Sequence, residues 1–497
     1  MIYKSTRGAN DGFSFEQAVI KGIADDGGLF VPDEFPVLCK RDFDTYGEAS
    51  YKECAASIIN RYIPSFNNGE IRDCVFAAYG ENFDAPDIAP LKRVRGGVYC
   101  LELWHGPTAA FKDMALQLTP RLLVTSMKKQ NVEKDIAILV ATSGDTGKAA
   151  LEGFRDVERT KIMVLYPEDG VSEVQKRQMI TQEGSNVAVT AIKGNFDDSQ
   201  TAVKSLFVDK ELAKKASALG YTFSSANSIN WGGLLPQIVY YVRTCAKLRT
   251  NGILTEGKKA VFVVPTGNFG NILACYYAKR MGAPIGRIVC ASNDNNILTD
   301  FINTGVYDRN REFYKTLSPS MDILISSNLE RLLYELCGRD CKKVSGWMND
   351  LKTTGRYEVD AETLAAIREI FIADSLDDKE TKKEIKSVFE KDGYLVDTHT
   401  AVAFGVYEKQ KKSISAEDTV IIVSTASPYK FAKSVLEAVS DEDVSWVGDF
   451  EALNVLSEKT GTPVPLPLLN IEQRPVLHDA LCEVKDLQPI VLDFLKK

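Results

Sequence analysis

The sequence predicts an α/β protein with two doubly wound lobes, each built on a parallel sheet. From about residue 136 onward, short apolar runs alternate with segments of helical period, and most of the runs end in a polar or glycine-containing turn. Ligands are expected between the lobes, where strands end at their carboxyl edges. The predicted strands span residues 135–142 (DIAILVAT), 161–167 (KIMVLYP), 186–192 (NVAVTAI), 260–267 (AVFVVPTG), 286–292 (GRIVCAS) and 419–427 (TVIIVSTAS).

The length of 497 residues is enough for two or three domains. The first hundred residues contain helical stretches and few strand runs, which predicts an additional N-terminal domain. Residues 328–412 are mostly helical and charged, and their charge run is typical of a solvated helix face. We expect four parts: the N-terminal domain (1–97), a small lobe (98–258), a large lobe with a helical insertion (259–440) and a C-terminal extension (441–497).

The composition excludes several classes of protein. A formal net charge of −8 leaves no dominant basic face for nucleic acid, and no apolar run is long enough to cross a membrane. The N-terminal segment MIYKSTRGANDGF lacks the features of a secretion signal. Ten scattered cysteines fit a reducing cytosol, and Cys337 with Cys341 has no second Cys/His pair nearby, so no metal site is expected.

Glycine-rich turns follow three of the predicted strands. Glycine allows the backbone to close on an anion, and the following helix directs its N-terminal amides toward it. Neither of the two stronger turns has dinucleotide or P-loop spacing, and any single turn of this kind is more often a tight connection. The two stronger turns together indicate two anionic groups. The turns are ATSGDTGKAA (141–150), PTGNFGNILA (265–274) and the weaker STASPYKFA (424–432).

Lys112 lies between Phe111 and Asp113 in the segment HGPTAAFKDMALQ (105–117). A lysine beside an aromatic ring in a mostly uncharged stretch can lose part of its solvation. Its pKa then falls, and the neutral amine can condense with an aldehyde. A lysine is more often a solvated surface charge, and periodicity alone does not separate the two interpretations.

These motifs occur in an order and spacing that resembles the threonine synthase family, a group of fold-type II enzymes that use pyridoxal 5′-phosphate (PLP). The resemblance covers nearly the whole chain and is greatest to the long bacterial and fungal branch, which has an extra N-terminal domain. It rests on HGPTAAFKD, TSGDTGKAA and TGNFGN, and on YKSTRG, ADDGGLFVP, GNFDDSQ, SANSINWGGLLPQIVYY, SPSMDILISSNLERLL and DTHTAVA.

The resemblance implies that Lys112 binds PLP covalently as the catalytic residue. It places Thr425 at the pyridine nitrogen as a neutral hydroxyl partner, and this favours elimination over racemisation. Asp145 stands where many relatives outside the family have Asn, near the phenolic oxygen of the cofactor, and its role stays open. The residues implied to hold the cofactor phosphate through backbone amides are Gly267, Asn268, Phe269, Gly270 and Asn271.

The implied reaction converts O-phospho-L-homoserine and water to L-threonine and phosphate, the last step of threonine biosynthesis, in the cytoplasm and in a monomer or homodimer. The residues that clamp the substrate phosphate are not assigned. Helix capping is slightly favoured for the polar group at 227–230, and His105 and His399 are as well explained by packing as by catalysis. Candidate substrate-binding residues are Thr108, Ser143, Gly144, Thr146, Lys148, Asn227, Ser228 and Asn230.

Two positions depart from the family pattern. Thr398 stands where the family commonly has proline, and Ser427 stands where it commonly has histidine. Three alternatives remain: another fold-type II enzyme, such as a serine/threonine dehydratase or a β-replacement synthase, a noncatalytic relative that binds phosphorylated ligands, and a dehydrogenase, which the loop spacing disfavours.

Overall fold

The computed structural model describes residues 1–8, 11–142, 144–168, 171–194, 199, 202–203, 205–207 and 209–497. The strands of these residues are β1 (Tyr3–Ser5), β2 (Asp11–Phe13), β3 (Phe30–Pro32), β4 (Leu91–Arg95), β5 (Val98–Glu102), β6 (Asp135–Ala141), β7 (Thr160–Pro167), β8 (Val187–Ile192), β9 (Tyr221–Ser224), β10 (Ala260–Pro265), β11 (Ile288–Ser292), β12 (Val306–Asp308), β13 (Arg356–Glu358), β14 (Phe371–Ser375), β15 (Thr419–Ser424) and β16 (Ala480–Cys482).

Two of the sheets are large and mainly parallel, as the sequence predicts. The first has six strands in the order β14–β11–β10–β15–β5–β4, with only the edge strand β4 antiparallel to its neighbour. The second has five parallel strands in the order β16–β8–β7–β6–β9. The two smaller sheets are antiparallel: β2–β1–β3 near the N-terminus and the pair β12–β13.

The helices cover both large sheets and form most of the N-terminal region. In chain order they are Phe15–Lys21, Lys40–Glu48, Tyr51–Tyr62, Asn68–Ala78, Asp113–Leu116, Thr119–Lys129, Asp145–Phe154, Glu173–Ile180, Lys210–Ala218, Trp231–Thr250, Gly270–Arg280, Ile297–Thr304, Leu329–Leu336, Cys341–Thr353, Ala361–Ile370, Asp378–Asp392, Thr398–Gln410, Ala432–Val439, Glu451–Thr460 and Leu487–Lys496. Short 3₁₀ helices are Pro319–Met321, Lys411–Ser413, Pro428–Phe431, Leu466–Leu468, Ile471–Gln473 and Val484–Asp486. Within the described ranges, no helix combines the length and apolarity needed to cross a bilayer.

All six predicted strands are present, as β6, β7, β8, β10, β11 and β15, with ends that differ by a few residues. One prediction was wrong in part. Within the charged segment interpreted as helical, residues Phe371–Ser375 form β14 and pair in parallel with β11. These five residues carry Phe and Ile at their start, and burial against β11 outweighs the helical period of the flanking sequence.

The helix Trp231–Thr250 is the central packing element. Nearly all of its residues are buried, and it contacts the helices Lys40–Glu48, Tyr51–Tyr62 and Gly270–Arg280. Core packing was the default prediction for Trp231, and its ring lies 5.7 Å from the ring of Tyr3 and 5.7 Å from that of Tyr277. The N-terminal residues and the larger sheet therefore share one hydrophobic core.

Arg331 joins the N-terminal region to the segment that precedes the central helix. Its guanidinium is fully buried, and it donates hydrogen bonds to the carbonyl groups of Phe30 (3.0 Å), Ser228 (3.0 Å) and Ile229 (2.5 Å). Burial lowers its pKa to about 10. The guanidinium therefore connects the helix Leu329–Leu336 with Phe30 and with the segment 228–229.

Replacing Arg331 by Met should lower the free energy of unfolding by about 3 kcal/mol, because buried carbonyl groups lose their donors. Urea denaturation followed by circular dichroism measures the change. The control is Arg356→Met, at an exposed residue whose loss should change stability by less than about 0.5 kcal/mol. Equal stability of the two variants would contradict this role of Arg331.

Candidate active site

Neighbouring parallel strands bring the predicted site segments together. β5, β15 and β10 are adjacent, so the chain leaves all three at the same edge of the larger sheet. The segment after β5 runs beside the segment after β15: Phe111 N–H donates to Thr425 O (2.7 Å) and Ser427 N–H donates to Ala109 O (3.0 Å). These bonds fix Lys112 and the buried Thr425 side by side, in two segments that are more than 300 positions apart in sequence.

Lys112 begins the short helix Asp113–Leu116 and keeps intermediate exposure. Its Nζ lies 4.7 Å from the centre of the Phe111 ring and has no hydrogen-bond or ion-pair partner among the described residues. Desolvation by the surrounding protein lowers the pKa of Lys112 to about 8, although attraction from Asp145 acts to raise it. A substantial fraction of this amine is therefore neutral near physiological pH.

Asp113 holds the turn that precedes Lys112. Its carboxylate is fully buried and accepts from Thr108 N–H (2.8 Å) and from Thr108 Oγ1 (2.8 Å). Burial raises the pKa of Asp113 to about 7, against the hydrogen bonds from Thr108. Gly106 makes this turn feasible, since a Cβ there would lie 2.6 Å from the Asp113 side chain.

The turn after β10 presents a row of unsatisfied amides. Phe269 adopts a left-handed conformation (φ 62°) and precedes the helix Gly270–Arg280. Within the part of the chain that the structure describes, none of the backbone N–H groups from Gly267 to Asn271 donates to a protein acceptor. Such amides at a helix N-terminus, close to the positive end of its dipole, form an anion site.

Three hydrogen bonds to the carbonyl groups of this turn hold it in place. Ser326 Oγ donates to Gly267 O (2.6 Å), and Asn328 donates to Asn268 O through its backbone N–H (3.1 Å) and its Nδ2 (3.0 Å). The carbonyls are thus occupied by donors, while the N–H groups of the same residues stay available. The turn is arranged to bind a negative charge and not a cation.

The Asn271 side chain has its acceptor occupied and its donor left over. Its Oδ1 accepts from the hydroxyl groups of Tyr240 (2.6 Å) and Tyr241 (2.7 Å), whereas its buried Nδ2 has no partner among the described residues. Tyr240 was predicted to pack in the core, and it is buried, but it also orients this amide. An unsatisfied buried donor is costly, so a ligand acceptor is expected here.

The turn after β6 belongs to the five-stranded sheet, and two of its N–H groups are already bonded within the protein. Gly144 has φ 146°, and its N–H and that of Gly147 donate to Thr142 Oγ1 at 3.0 and 2.9 Å. Asp145 starts the helix Asp145–Phe154 and is buried, while Thr146 is half-buried. Ser143, a predicted substrate-binding residue, lies outside the described residues.

Three other predicted substrate-binding residues already have protein partners. Lys148 is buried against Glu152 (3.3 Å) and Gln182, and burial lowers its pKa while Glu152 opposes that change. Asn230 caps the central helix by accepting from Gly232 N–H (3.0 Å). Capping is thus present at Asn230, as the sequence favoured, and the hydrogen bonds between Thr108 and Asp113 have been described above.

Asn227 and Ser228 lie close to the turn Gly267–Asn271, called the anion turn below. The Asn227 Oδ1 is buried and has no partner among the described residues, and Ser228 Oγ accepts from Asn328 Nδ2 (2.9 Å). A Cβ on Gly270 would lie 3.0 Å from Ser228 Oγ, which shows how near the two segments are. Their binding of substrate stays a prediction.

Both conspicuous histidines have structural partners. His105 lies between Asp84 (Nδ1–Oδ1, 2.6 Å) and Glu102 (Nε2–Oε2, 2.9 Å). Burial acts to lower the pKa of His105, but the two carboxylates outweigh it and raise the pKa to about 9. His399 Nε2 accepts from Ser320 N–H (3.1 Å), which leaves Nδ1 to donate to Asp397 (2.7 Å).

The two departures from the family pattern are locally compensated. Asp397 caps the helix Thr398–Gln410 by accepting from the N–H groups of His399 and Thr400, so the chain turns without a proline at 398. Ser427 is buried and caps the 3₁₀ helix Pro428–Phe431 through Tyr429 N–H (3.3 Å). Each substituted position therefore lies at a well-formed helix start.

Lys430 is a residue that the sequence did not single out. Its side chain is fully buried, and its Nζ lies 2.8 Å from Asp145 Oδ1 and 3.0 Å from Thr108 O. Burial opposes ionisation of Asp145, but Lys430 and Gln175 outweigh it and hold the pKa of Asp145 below its usual value. The segment STASPYKFA gave no signal for this, because the contact joins residues far apart in sequence.

Comparison with sequence families divides the chain into three matched regions. Residues 2–79 match "Threonine synthase N terminus", residues 83–426 match "Pyridoxal-phosphate dependent enzyme", and residues 400–463 match "Threonine synthase, C-terminal". The threonine synthase of Schizosaccharomyces pombe is 38% identical over 467 residues, which cover 88% of this chain and 89% of that protein. The chain belongs to the threonine synthase family.

Other relatives and solved structures agree with this membership. Threonine synthase of Pseudomonas aeruginosa is 37% identical, covering 88% of this chain and 90% of that protein. Threonine synthase-like 1 of Pongo abelii is 40% identical over 89% of this chain, but the chain spans only 61% of that protein. A PLP-bound threonine synthase from Brucella melitensis superposes with a TM-score of 0.88 at 36% sequence identity, and the match covers 100% of both chains. Yeast threonine synthase superposes with a TM-score of 0.88 at 34% sequence identity, and the match covers 99% of this chain and 98% of that one.

The geometry fits the cofactor of the threonine synthase family. PLP brings an aldehyde and a phosphate. The structure offers a desolvated amine without a protein partner at Lys112, and unsatisfied amides together with the orphaned Asn271 Nδ2 after β10. The residues present therefore suit both ends of the cofactor.

The lowered pKa of Lys112 predicts its reactivity in the full chain freed of cofactor. Modification by an amine-selective reagent, followed by mass spectrometry, should rise with pH through a midpoint near 8, because only the neutral amine reacts. The exposed Lys214 in the same digest is the internal reference. A Lys112 midpoint near 10, as in model peptides, would contradict the desolvated site.

Replacing Gly267 by Ala should weaken PLP binding by about tenfold or more, equivalent to roughly 1.4 kcal/mol. The new Cβ would lie 2.8 Å from the backbone oxygen of Ser320, so the turn must shift. Spectroscopic titration with PLP measures the affinity. The control is Gly346→Ala, where nothing lies within 4 Å of the new Cβ, and equal affinities would refute the assignment of this turn.

Proposed function

We propose that the protein is a threonine synthase that converts O-phospho-L-homoserine and water to L-threonine and inorganic phosphate. The observation that carries the proposal is the convergence of the partner-free Lys112 amine with two glycine turns, one from each large sheet. Membership of the threonine synthase family supports the choice of this reaction among those that PLP enables.

In this proposal, Lys112 holds the cofactor and the amides of Gly267–Asn271 with Asn271 Nδ2 hold its phosphate. Thr425 is proposed as the neutral partner of the pyridine nitrogen. When bound, PLP supplies an electron sink that makes the Cα and Cβ hydrogens of an amino acid acidic. The orphaned donors after β10 support the placement of the phosphate.

Lys112 is also the proposed acid–base group. With its amine free in the substrate complex, Lys112 Nζ would take the proton from Cα and then one from Cβ as the γ-phosphate leaves. It would deliver a proton to Cγ, which becomes the methyl group, and return one to Cα after water has added its hydroxyl to Cβ and its remaining proton has gone to the released phosphate. A pKa of about 8 suits this work, since both protonation states are then populated near neutral pH.

Ser143, Gly144 and Thr146 are proposed to bind the substrate carboxylate, together with amides at the start of the helix Asp145–Phe154. Asn227 and Ser228 lie beside the anion turn, Gly267–Asn271, and we propose that they contact ligand groups held at that turn. Thr108, Lys148 and Asn230 would have to exchange or share the partners that they have in this structure.

Localisation and assembly belong to the same proposal. We place the reaction in the cytoplasm, which ten scattered cysteines favour, and we propose a monomer or homodimer.

The purified full chain with PLP should release phosphate from O-phospho-L-homoserine and form threonine, while releasing little ammonia or keto acid from L-serine or L-threonine. Lys112→Ala should lower kcat by at least about 10³-fold, because it removes the acid–base group. The control is Lys214→Ala, at an exposed residue. Keto-acid release from serine would indicate a dehydratase instead, and inactivity on all substrates would indicate a noncatalytic relative.

A further inference from the structure

A buried cation and its two acceptors stand beside Lys112. Lys430 follows β15 in the 3₁₀ helix Pro428–Phe431 and is fully buried. Its ammonium lies 2.8 Å from Asp145 Oδ1 and 3.0 Å from Thr108 O. Because Asp145 follows β6 of the five-stranded sheet, this ammonium connects the edges of both large sheets at the site.

Both groups that accept from Lys430 also affect Lys112, one through hydrogen bonds and the other through its charge. Thr108 donates through its N–H and its hydroxyl to Asp113, the residue next to Lys112. Asp145 is the charged group whose attraction acts on the Lys112 amine. A displacement of the Lys430 ammonium would therefore change the position of Lys112 through the turn 108–113, and the charge near its amine through Asp145.

A neighbouring helix binds the same two acceptors. Gln175 and Gln178 stand three residues apart on the helix Glu173–Ile180. Gln175 Nε2 donates to Asp145 Oδ1 (2.7 Å), and Gln178 Nε2 donates to Thr108 O (3.2 Å). The Asp145 carboxylate and the Thr108 carbonyl thus each accept from Lys430 and from a glutamine of this helix. Of these three donor residues, only Lys430 carries a charge.

We propose that Lys430 is a positioning residue for Lys112: its ammonium holds the Asp145 carboxylate and the Thr108 carbonyl in place and balances the negative charge that Asp145 presents to Lys112. Lys430 is not proposed as a catalytic residue, since it acts through its two acceptors. The inference deepens the proposed function, because it rests on Lys112 being the cofactor lysine.

Other charged groups surround the pair. Asp113 and Lys148 both interact electrostatically with Lys430, and His399 interacts with Asp145. Substitution of Lys430 leaves the chemical identity of these groups unchanged. Removing the Lys430 charge leaves the Asp145 carboxylate less compensated, and a less compensated anion favours the protonated form of Lys112.

The test measures the pH dependence of Lys112 modification in the full chain freed of cofactor. Lys430→Gln should move the midpoint to higher pH by about 0.5 to 1 unit, and Asp145→Asn should move it to lower pH, because a nearby carboxylate favours the ammonium form. Lys430→Arg keeps the positive charge, so its midpoint should differ less from that of the unchanged protein than the midpoint of Lys430→Gln does.

The double variant Lys430→Gln/Asp145→Asn separates positioning from general stability. If Lys430 acts through Asp145, Lys430→Gln should shift the Lys112 midpoint much less in the Asp145→Asn background. Equal shifts in both backgrounds, or no shift in either, would overturn the proposal. Should Lys430→Gln fail to fold, Asp145→Asn alone still decides, since an unchanged midpoint there removes the proposed electrostatic link.

A kinetic measurement on the cofactor-loaded chain gives a second readout. Lys430→Gln is expected to move the acidic limb of the kcat profile to higher pH, in the same direction as the modification midpoint, because kcat reports the groups of the substrate-bound chain, in which the Lys112 amine would be free. The modification experiment needs neither cofactor nor substrate. A chain that lacks phosphate release but shows the midpoint shifts would therefore refute the proposed function and leave the Lys430–Asp145 link intact.

Discussion

Partial removal of the Lys112 amine from water is the constraint on which the rest of the site depends. An ammonium group strongly prefers water, so a desolvated lysine that lies against an aromatic ring and has no direct ion-pair partner among the described residues loses much of the stability of its charged form. The fold maintains this state by fixing the segment around Lys112 with backbone bonds to the residues after β15. A neutral amine at a fixed position is what condensation with an aldehyde requires.

The two-sheet architecture explains how anion sites come to surround that amine. Parallel strands end at a common edge, and glycine turns there direct helix N-termini toward the same space. The turn after β10 has its carbonyls occupied by Ser326 and Asn328, while its N–H groups stay available. The turn after β6 contributes the buried Asp145, whose charge is balanced by Lys430.

The sequence predicted those parts of the fold and site that depend on local pattern. The six apolar runs became strands, and the glycine turns and Lys112 stand where strand order brings them together. β14 was missed because its five residues lie within a long stretch of helical period, and only pairing with β11 selects the strand.

At the site, the sequence could not predict contacts between residues that are far apart along the chain. Lys430 bonds to Thr108, 322 positions away, and the residues around Lys430 in the sequence do not indicate that partner. Tyr240 and Tyr241 fitted core packing, and their hydroxyl groups acquire a role only because Asn271 folds against them. Conversely, Lys148 and Asn230 matched a binding motif by position, and the structure shows that each already has protein partners.

Mass spectrometry of the cofactor-loaded chain after borohydride reduction tests the central claim most directly. Reduction fixes the cofactor to the amine that holds it, and peptide mapping then identifies that residue. The desolvated, partner-free state of Lys112 predicts one pyridoxyl adduct, on the peptide that contains Lys112. An adduct on Lys148, on Lys430 or on any other lysine would contradict it.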